Sequence, residues 1–234
     1  MSTQGSAPNR KLTWLGWAVC TAVGWLPGLV NAGILNLQSL QDVLRLLPRF
    51  ALEGVLIGLL IGAGQALLAR REGHINSRAW FATTLAGYAL AMPVGVALIT
   101  AIMWVSWRAR GIPLLEAGSG YFFTPIPVYP IFGGFLVGMA QWLVLGHAVP
   151  HRGFKEGTLW VLGTWAGIGL GVYTGLSLRN LLLNEGASWV VASIGERLVA
   201  GLLQGFVTGG LLLLLLGRVT TSSPTTDSVQ PAGR

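Results

Sequence analysis

Long apolar stretches constrain the fold of this chain more than any other feature of its sequence. A helix needs about 20 apolar residues to cross the hydrocarbon core of a bilayer, and six stretches reach that length. They cover approximately residues 12–35, 50–69, 79–107, 129–148, 158–178 and 189–217. The stretches are continuous and do not alternate with polar residues, which disfavours a β-barrel. We therefore predict an all-α integral membrane protein with six transmembrane helices.

The composition agrees with a membrane protein and excludes several other classes. The chain is 53% hydrophobic and 10% charged, whereas soluble domains carry about 25% charged residues. The net charge of +7 comes from basic residues scattered at the ends of the apolar stretches. They form no basic face of the kind that binds nucleic acid, so we expect no nucleic-acid partner. The single cysteine, Cys20, excludes a disulfide scaffold.

The distribution of basic residues predicts the orientation. With the N-terminus inside, nine of the 15 Lys and Arg residues fall on the inner side: Arg10, Lys11, Arg70, Arg71, Arg78, Arg152, Lys155, Arg218 and Arg234. The positive-inside rule then favours two cytoplasmic termini. Residues 1–11 would form a short cytoplasmic segment, and the Ser/Thr/Pro-rich residues 219–234 a disordered tail.

Three connections on the predicted outer side have residue patterns that indicate their structure. Residues 37–47 place four leucines on one helical face, which predicts a short helix lying in the membrane interface. Residues 177–185 are its expected counterpart. Residues 118–130 (GSGYFFTPIPVYP) are rich in aromatic residues and proline. We expect this last loop to cover the outer mouth of the bundle or to contact another membrane subunit.

Two motifs recur at helical spacing and predict an internal repeat. The odd-numbered stretches share Trp-x3-Thr-x2-Gly at residues 17–24, 80–87 and 160–167. The even-numbered stretches share Gly-x2-Gln, at Gly62 and Gln65, Gly138 and Gln141, and Gly201 and Gln204. Positions i, i+4 and i+7 share one helix face. We therefore predict three copies of a two-helix hairpin around a pseudo-threefold axis.

The small residues of the motifs are candidate helix-packing positions. Helices in lipid associate by close backbone approach at small residues and by interhelical hydrogen bonds. The predicted packing residues are Gly58, Gly62, Gly134, Gly138 and Gly201. Arg197 stands in the third copy where the first two have Gly58 and Gly134.

The glutamines and threonines of the motifs need hydrogen-bond partners, because an unsatisfied amide in hydrocarbon costs several kcal/mol. Gln65 and Thr84 flank the same short inner connection, so we expect them to pair across it. The analogous pairs are Gln141 with Thr164 and Gln204 with Thr21. We favour interhelical hydrogen bonding as their role; a polar pocket for a small solute or ion is the alternative. We expect the motif tryptophans to act as interfacial anchors.

Few ionisable residues fall within the apolar stretches, and each is a candidate site. Glu53 and Glu196 lie near outward helix N-termini, where the helix dipole favours negative charge. We expect structural ion pairs, with Arg179 or Arg197 as the partner of Glu196. A proton or cation site at Glu53 is the alternative.

Enzyme and cofactor motifs are missing from the sequence. His147 and His151 have metal-ligand spacing, but Pro150 lies between them, so we predict no metal site and assign no cofactor. The segment Gly118-Ser119-Gly120 resembles a serine-nucleophile pattern but has no deep histidine after it. We predict that the protein is not an enzyme.

The segment GMAQWLVL at residues 138–145 carries a resemblance. It resembles uncharacterised multi-pass bacterial membrane proteins with a repeated Gly-x-x-Gln-Trp-Leu helical hairpin. That resemblance implies the bacterial cytoplasmic membrane and brings no activity, cofactor or partner. We expect a non-catalytic subunit or scaffold within a larger membrane complex, embedded in the lipid bilayer. The alternative is a small-solute carrier with a Gln/Thr-lined pocket.

Overall fold

The computed structural model describes residues 10–31, 40–72, 75–110, 129–148 and 153–221, and all the regular structure in these ranges is helical. The α-helices are α1 (Arg10–Gly24), α2 (Leu40–Glu72), α3 (Ser77–Ala109), α4 (Tyr129–Ala148), α5 (Phe154–Asn184) and α6 (Trp189–Thr221). A short 3-10 helix, Leu26–Asn31, follows α1. Predictions made for residues 1–9, 118–128 and 222–234 lie outside the described ranges.

Four helices are long and apolar enough to cross a membrane. Within the described residues, the segments that could cross are Leu47–Arg71 in α2, Ser77–Leu98 in α3, Phe154–Asn184 in α5 and Trp189–Leu216 in α6. A chain whose described regular structure is all helical, with four such helices, suits a membrane protein. Helices α1 and α4 are not in this set, and α1, with 15 residues, is shorter than the roughly 20 that a single crossing helix needs.

Two helix boundaries differ from the sequence expectation. Helix α2 begins at Leu40 and runs through Pro48, so the described part of the predicted interfacial helix is the first portion of α2. Helix α1 ends at Gly24 because Pro27 has no N–H to continue the i→i−4 pattern. The backbone N–H of Gly28 instead donates to the Trp25 carbonyl, an i→i−3 bond typical of a 3-10 turn.

The other expected interfacial segment, residues 177–185, is not separate. Its residues as far as Asn184 belong to α5, and the turn to α6 has Gly186 at a φ of 82°. A positive φ is easily adopted only by glycine, which favours Gly186 at this position.

The six helices pack in a closed ring that follows chain order. Each helix packs against the next along the chain, and α6 packs against α1 to close the ring. The 3-10 helix packs against α2 and α6, beyond the end of α1. The side chains on the inner faces of all six helices therefore share one interior.

The five predicted packing glycines lie at contacts between helices. Gly58 and Gly62 face α3, Gly134 and Gly138 face α5, and Gly201 faces α1. A Cβ built on Gly138 would lie 2.9 Å from Val161 Cα. Real Cβ atoms do not approach a backbone so closely, and Gly58 and Gly201 have equally close backbone neighbours. These three glycines therefore permit the observed helix separations.

Candidate functional site

Three tryptophans meet inside the ring, at the end where α2 joins α3. Trp17, Trp80 and Trp160 are all buried. The ring centroids of Trp17 and Trp80 are 5.4 Å apart, and those of Trp80 and Trp160 are 5.9 Å apart, both edge-to-face. Aromatic rings prefer this geometry to a face-to-face sandwich. The expectation that these indoles anchor the bundle at the membrane surface is wrong, since they form part of its core.

Two motif glutamines hydrogen-bond to motif threonines. The Gln65 Nε2 atom donates to Thr21 Oγ1 at 3.1 Å, and the Gln141 Nε2 atom donates to Thr84 Oγ1 at 3.1 Å. Trp80 Nε1 in turn donates to Gln65 Oε1 at 3.2 Å. All of these side chains are buried, so the bonds join adjacent helices inside the ring.

The threonine partners differ from those expected. Each of these glutamines bonds to the threonine of the helix before it, and not to that of the helix after it. The geometry of α2 explains the difference. Gly62 packs against α3, and Gln65, three residues later, points about 60° away around the helix. The amide therefore reaches α1, and the Cβ of Thr84 packs near Gly62 instead.

The third glutamine has different partners. Gln204 Nε2 donates to the Tyr88 hydroxyl at 2.5 Å, and Gln204 Oε1 accepts from Trp25 Nε1 at 2.7 Å. The bond expected between Gln204 and Thr21 is replaced by these two. Because α3 and α6 are not neighbours in the ring, the Gln204–Tyr88 bond crosses the interior. Trp17 Nε1 donates to Thr208 Oγ1 at 3.3 Å, one turn further along α6.

Two motif residues on α5 each have a buried polar atom without a described hydrogen-bond partner. Trp160 and Thr164 are each 0% exposed. Within the described residues, Trp160 Nε1 and Thr164 Oγ1 have no hydrogen-bond partner. The equivalent groups in the first two hairpins are bonded, so α5 interrupts the pattern.

Charged side chains occupy the other end of the interior. Arg197 is 2% exposed; its Nη1 lies 3.9 Å from Glu53 Oε1, and its Nη2 donates to the Gly28 carbonyl at 3.2 Å. Its Cζ lies 6.0 Å from the Trp25 ring centroid, within cation–π range. Arg179 Nη1 pairs with Glu196 Oε2 at 3.1 Å. The cation that stands beside Glu53 is therefore a side chain of this protein, Arg197.

Tyr88 and Trp25 belong to this network and were not identified from the sequence. Both follow a motif tryptophan by eight residues, and the third residue at that spacing is Ile168. All three are buried. The sequence shows this spacing for Trp25 and Tyr88. It does not show a repeated polar position, because the third copy has Ile168 there.

The described ranges contain no cluster of three His, Cys, Asp or Glu side chains suited to a metal ion. His147 is exposed, with its Nδ1 2.7 Å from the Leu143 carbonyl oxygen; His151 lies outside the described residues. The interior of the ring as a whole provides hydrogen bonds and ion pairs. Such groups can bind a polar molecule or hold the helices in position.

The chain matches no protein-family model, no curated protein and no solved structure at a significant level.

Proposed function

We propose that this protein is a non-catalytic membrane subunit or scaffold, with six spans arranged as three copies of a two-helix hairpin. A sixfold crossing requires the first apolar stretch to span the membrane, and α1 with the 3-10 helix after it is long enough to do so. Its 15 residues and the six of the 3-10 helix together extend about 34 Å, at about 1.5 and 2.0 Å per residue. The hydrocarbon core is about 30 Å thick. Helix α4, with 20 residues, has the minimum length.

The contacts inside the ring support the repeat. The three motif tryptophans meet edge-to-face. The Gln65–Thr21 and Gln141–Thr84 bonds relate successive helices in the same way and have the same length, 3.1 Å. A threefold arrangement of hairpins brings equivalent residues to the same depth in the bundle. This accounts for both the tryptophan contacts and the two Gln–Thr bonds.

One observation carries the scaffold proposal: the motif amides are bonded within the ring. Gln65, Gln141 and Gln204 all have side-chain partners on other helices. Their hydrogen-bonding capacity therefore supports assembly of the bundle. The outer surface is apolar, with Leu67 and Leu143 more than 60% exposed. Such a surface suits lipid and the transmembrane helices of partner subunits.

We place the protein in the bacterial cytoplasmic membrane with both termini inside, on the charge distribution and the resemblance described above. Reporter fusions after residue 11 and after residue 221 test the orientation. Both fusions should report a cytoplasmic location. A fusion reporting the opposite side would reverse the topology and leave the packing argument intact.

A partner subunit is expected to bind through the outer loop, residues 118–130. The test is purification of the tagged full chain from native membranes in mild detergent. We expect co-purification of other membrane proteins in fixed stoichiometry. Replacing residues 118–128 with a Gly/Ser sequence of equal length should abolish it, whereas the same replacement over 224–234 should not. Recovery of the unaltered protein as a lone monomer would contradict the scaffold role.

The second candidate is a small-solute carrier. The observation that favours it is the pair of buried groups on α5 without a described partner, Trp160 Nε1 and Thr164 Oγ1. Reconstituted liposomes can be tested by light scattering for faster entry of urea, glycerol or acetamide. Entry that is faster than in empty liposomes, and altered by Thr164→Val, would favour the carrier. Equal rates with and without protein would count against it.

A further inference from the structure

A groove lies on the outer surface of the ring between α4 and α5, at the end where the three motif tryptophans meet. Its volume is about 290 Å³, and it is lined by Trp142, Phe154, Gly157, Thr158, Val161 and Leu162. Phe154 is 91% exposed and Leu162 is 52% exposed, so the groove opens away from the interior. Helix α5 is one of those long and apolar enough to cross a membrane, and its open side would then face the bilayer.

Trp142 forms a fixed wall of this groove. A Cβ built on Gly157 would lie 2.6 Å from Trp142 Nε1, so the indole lies directly against the backbone of α5. Trp142 also packs against the core cluster that contains Trp160. Because α5 and the core both contact this side chain, the groove is part of the packed ring.

The shape of the groove favours a lipid chain over a partner helix. Transmembrane helices approach one another at small residues, and the glycine among the lining residues, Gly157, is covered by Trp142. A helix with its side chains is also about 10–12 Å across. An acyl chain is narrower and flexible, and it can lie along Val161 and Leu162 without displacing Trp142.

A cation stands at the end of the groove. Lys155 is exposed, and it precedes Leu162 by seven residues, so the two side chains point within about 20° of each other around α5. Neither ion pair of the described residues includes Lys155. The neighbouring carboxylate, Glu156, has the same angular relation to Gly163, which packs against Leu211 of α6. Glu156 therefore lies on the side of α5 away from the groove.

Basic residues of the neighbouring helices strengthen the positive potential at this end of the ring. Arg70 and Arg71 at the end of α2 and Arg78 at the start of α3 are exposed. An anionic lipid headgroup is attracted by about 1 kcal/mol for each Lys or Arg near the membrane surface. The charges therefore favour a negatively charged headgroup over a neutral one.

We propose that this groove binds an anionic phospholipid, with an acyl chain along Trp142, Val161 and Leu162 and the headgroup phosphate at Lys155. The lipid enters sideways from the bilayer, so it needs no passage through the ring. Basic pockets between transmembrane helices bind anionic headgroups in this way. The site goes beyond the scaffold proposal and does not depend on it, because binding is measured on the purified protein without a partner.

The test titrates the purified full-length protein in detergent with phosphatidylglycerol or with phosphatidylcholine of the same acyl chains. Native mass spectrometry counts the bound lipid. The first lipid has a net negative charge and the second has none. We expect phosphatidylglycerol to bind about fivefold more tightly, the factor that corresponds to about 1 kcal/mol from one basic residue. Equal affinities for the two lipids would overturn the proposal.

A matched pair of lysine variants tests the headgroup contact. Lys155→Gln should lower the affinity for phosphatidylglycerol about fivefold and leave that for phosphatidylcholine unchanged. Lys11→Gln is the control, because Lys11 is the other lysine of the chain and belongs to α1, which packs against α2 and α6. It should retain the preference for phosphatidylglycerol. An equal effect of the two variants would overturn the assignment to Lys155.

A pair of leucine variants tests the position of the acyl chain. Leu162→Trp fills the groove and should weaken the binding of both lipids. Leu159→Trp adds the same bulk to α5 at a residue that is 41% exposed and does not line the groove, so it should bind as the unaltered protein does. Equal lipid binding by the two variants would contradict the proposal. Loss of a co-purified membrane protein in Leu162→Trp, with lipid binding unchanged, would assign the groove to a partner helix and overturn it.

Discussion

Thr84 and Thr164 occupy the same position of the sequence motif, yet their side chains have different surroundings. Both are 0% exposed, and both pack near a glycine of an adjacent helix, Gly62 and Gly138. Thr84 accepts a hydrogen bond from Gln141, whereas Thr164 Oγ1 has no partner within the described residues. A motif can therefore predict burial without predicting hydrogen bonding.

The cause of the difference lies on α6. By analogy with the first two glutamines, Gln204 would donate to Thr164. It donates instead to the hydroxyl of Tyr88, and its oxygen accepts from Trp25. The third copy has isoleucine, Ile168, where the others have Trp25 and Tyr88. Trp25 and Tyr88 therefore occupy the oxygen and the nitrogen of the third amide, and Thr164 has no described bond to it.

Helix α6 also carries the largest departure from the motif, Arg197 in place of a glycine. Substituting Arg197 should have the largest effect on the free energy of unfolding. Arg197→Met removes the guanidinium beside buried Glu53. We expect a loss of about 3–5 kcal/mol in the free energy of unfolding, the usual cost of breaking a buried ion pair. Unfolding of the detergent-solubilised protein, followed by circular dichroism, measures it.

The control for this prediction is the double variant Arg197→Met with Glu53→Gln. It leaves no uncompensated carboxylate at that position, so most of the lost stability should return. A double variant as unstable as Arg197→Met would show that the ion pair is not the cause.

Alanine substitutions at two glycines of α5 should differ in their effect on stability by an intermediate amount. A Cβ on Gly171 would overlap the Ala200 carbonyl, whereas one on Gly169 would meet nothing within 4 Å. Gly171→Ala should cost about 1–3 kcal/mol through overpacking. Gly169→Ala should be neutral or stabilise by up to about 1 kcal/mol, because alanine favours helix. Equal stabilities would contradict the close α5–α6 packing.

Valine substitutions address the threonine comparison directly. Thr84→Val removes the acceptor of the Gln141 amide, and we expect a loss of about 1 kcal/mol, since interhelical bonds in membranes average about 0.6 kcal/mol and reach about 1.7. Thr164→Val should change stability by less than about 0.5 kcal/mol. A larger loss at Thr164 than at Thr84 would mean that Thr164 has a partner beyond the protein groups described, and would favour the carrier.

The smallest effect is expected for the tryptophans. Trp80→Phe removes the bond from Trp80 Nε1 to Gln65, whereas Trp160→Phe removes an N–H without a described partner. Both changes leave a similar gap in the core, so their difference isolates the hydrogen bond. Trp80→Phe should be the more destabilising by about 0.6 kcal/mol, measured in the same unfolding assay.

Much of the helical architecture could be predicted from the chain alone. The expected fourth stretch, residues 129–148, has the same bounds as α4. The positions of Gly58 and Gly138 at helix contacts follow from the small-residue pattern. The break after Gly24 was missed, although Pro27 is visible in the sequence, because an apolar stretch does not by itself reveal where the helix within it ends.

The partners of the polar side chains were harder to predict. Depth along the helix correctly suggested that Gln65 lies near a threonine, but not that Thr21 is the partner instead of Thr84. Depth is a property of position in the chain, whereas the partner depends on the rotation of two helices about their axes. That rotation follows from which glycines make the closest contacts.

Local properties of the sequence therefore determined the helical class, the apolar segments suited to a membrane and the burial of the motif glycines, glutamines and threonines. Hydrophobic length and helical period are both properties of one segment. The tertiary structure alone decided that the ring closes between α1 and α6, that Gln204 reaches Tyr88 across the interior, and that Arg197 lies beside Glu53. These contacts join residues more than 100 positions apart, and their geometry depends on the packing of all the intervening helices.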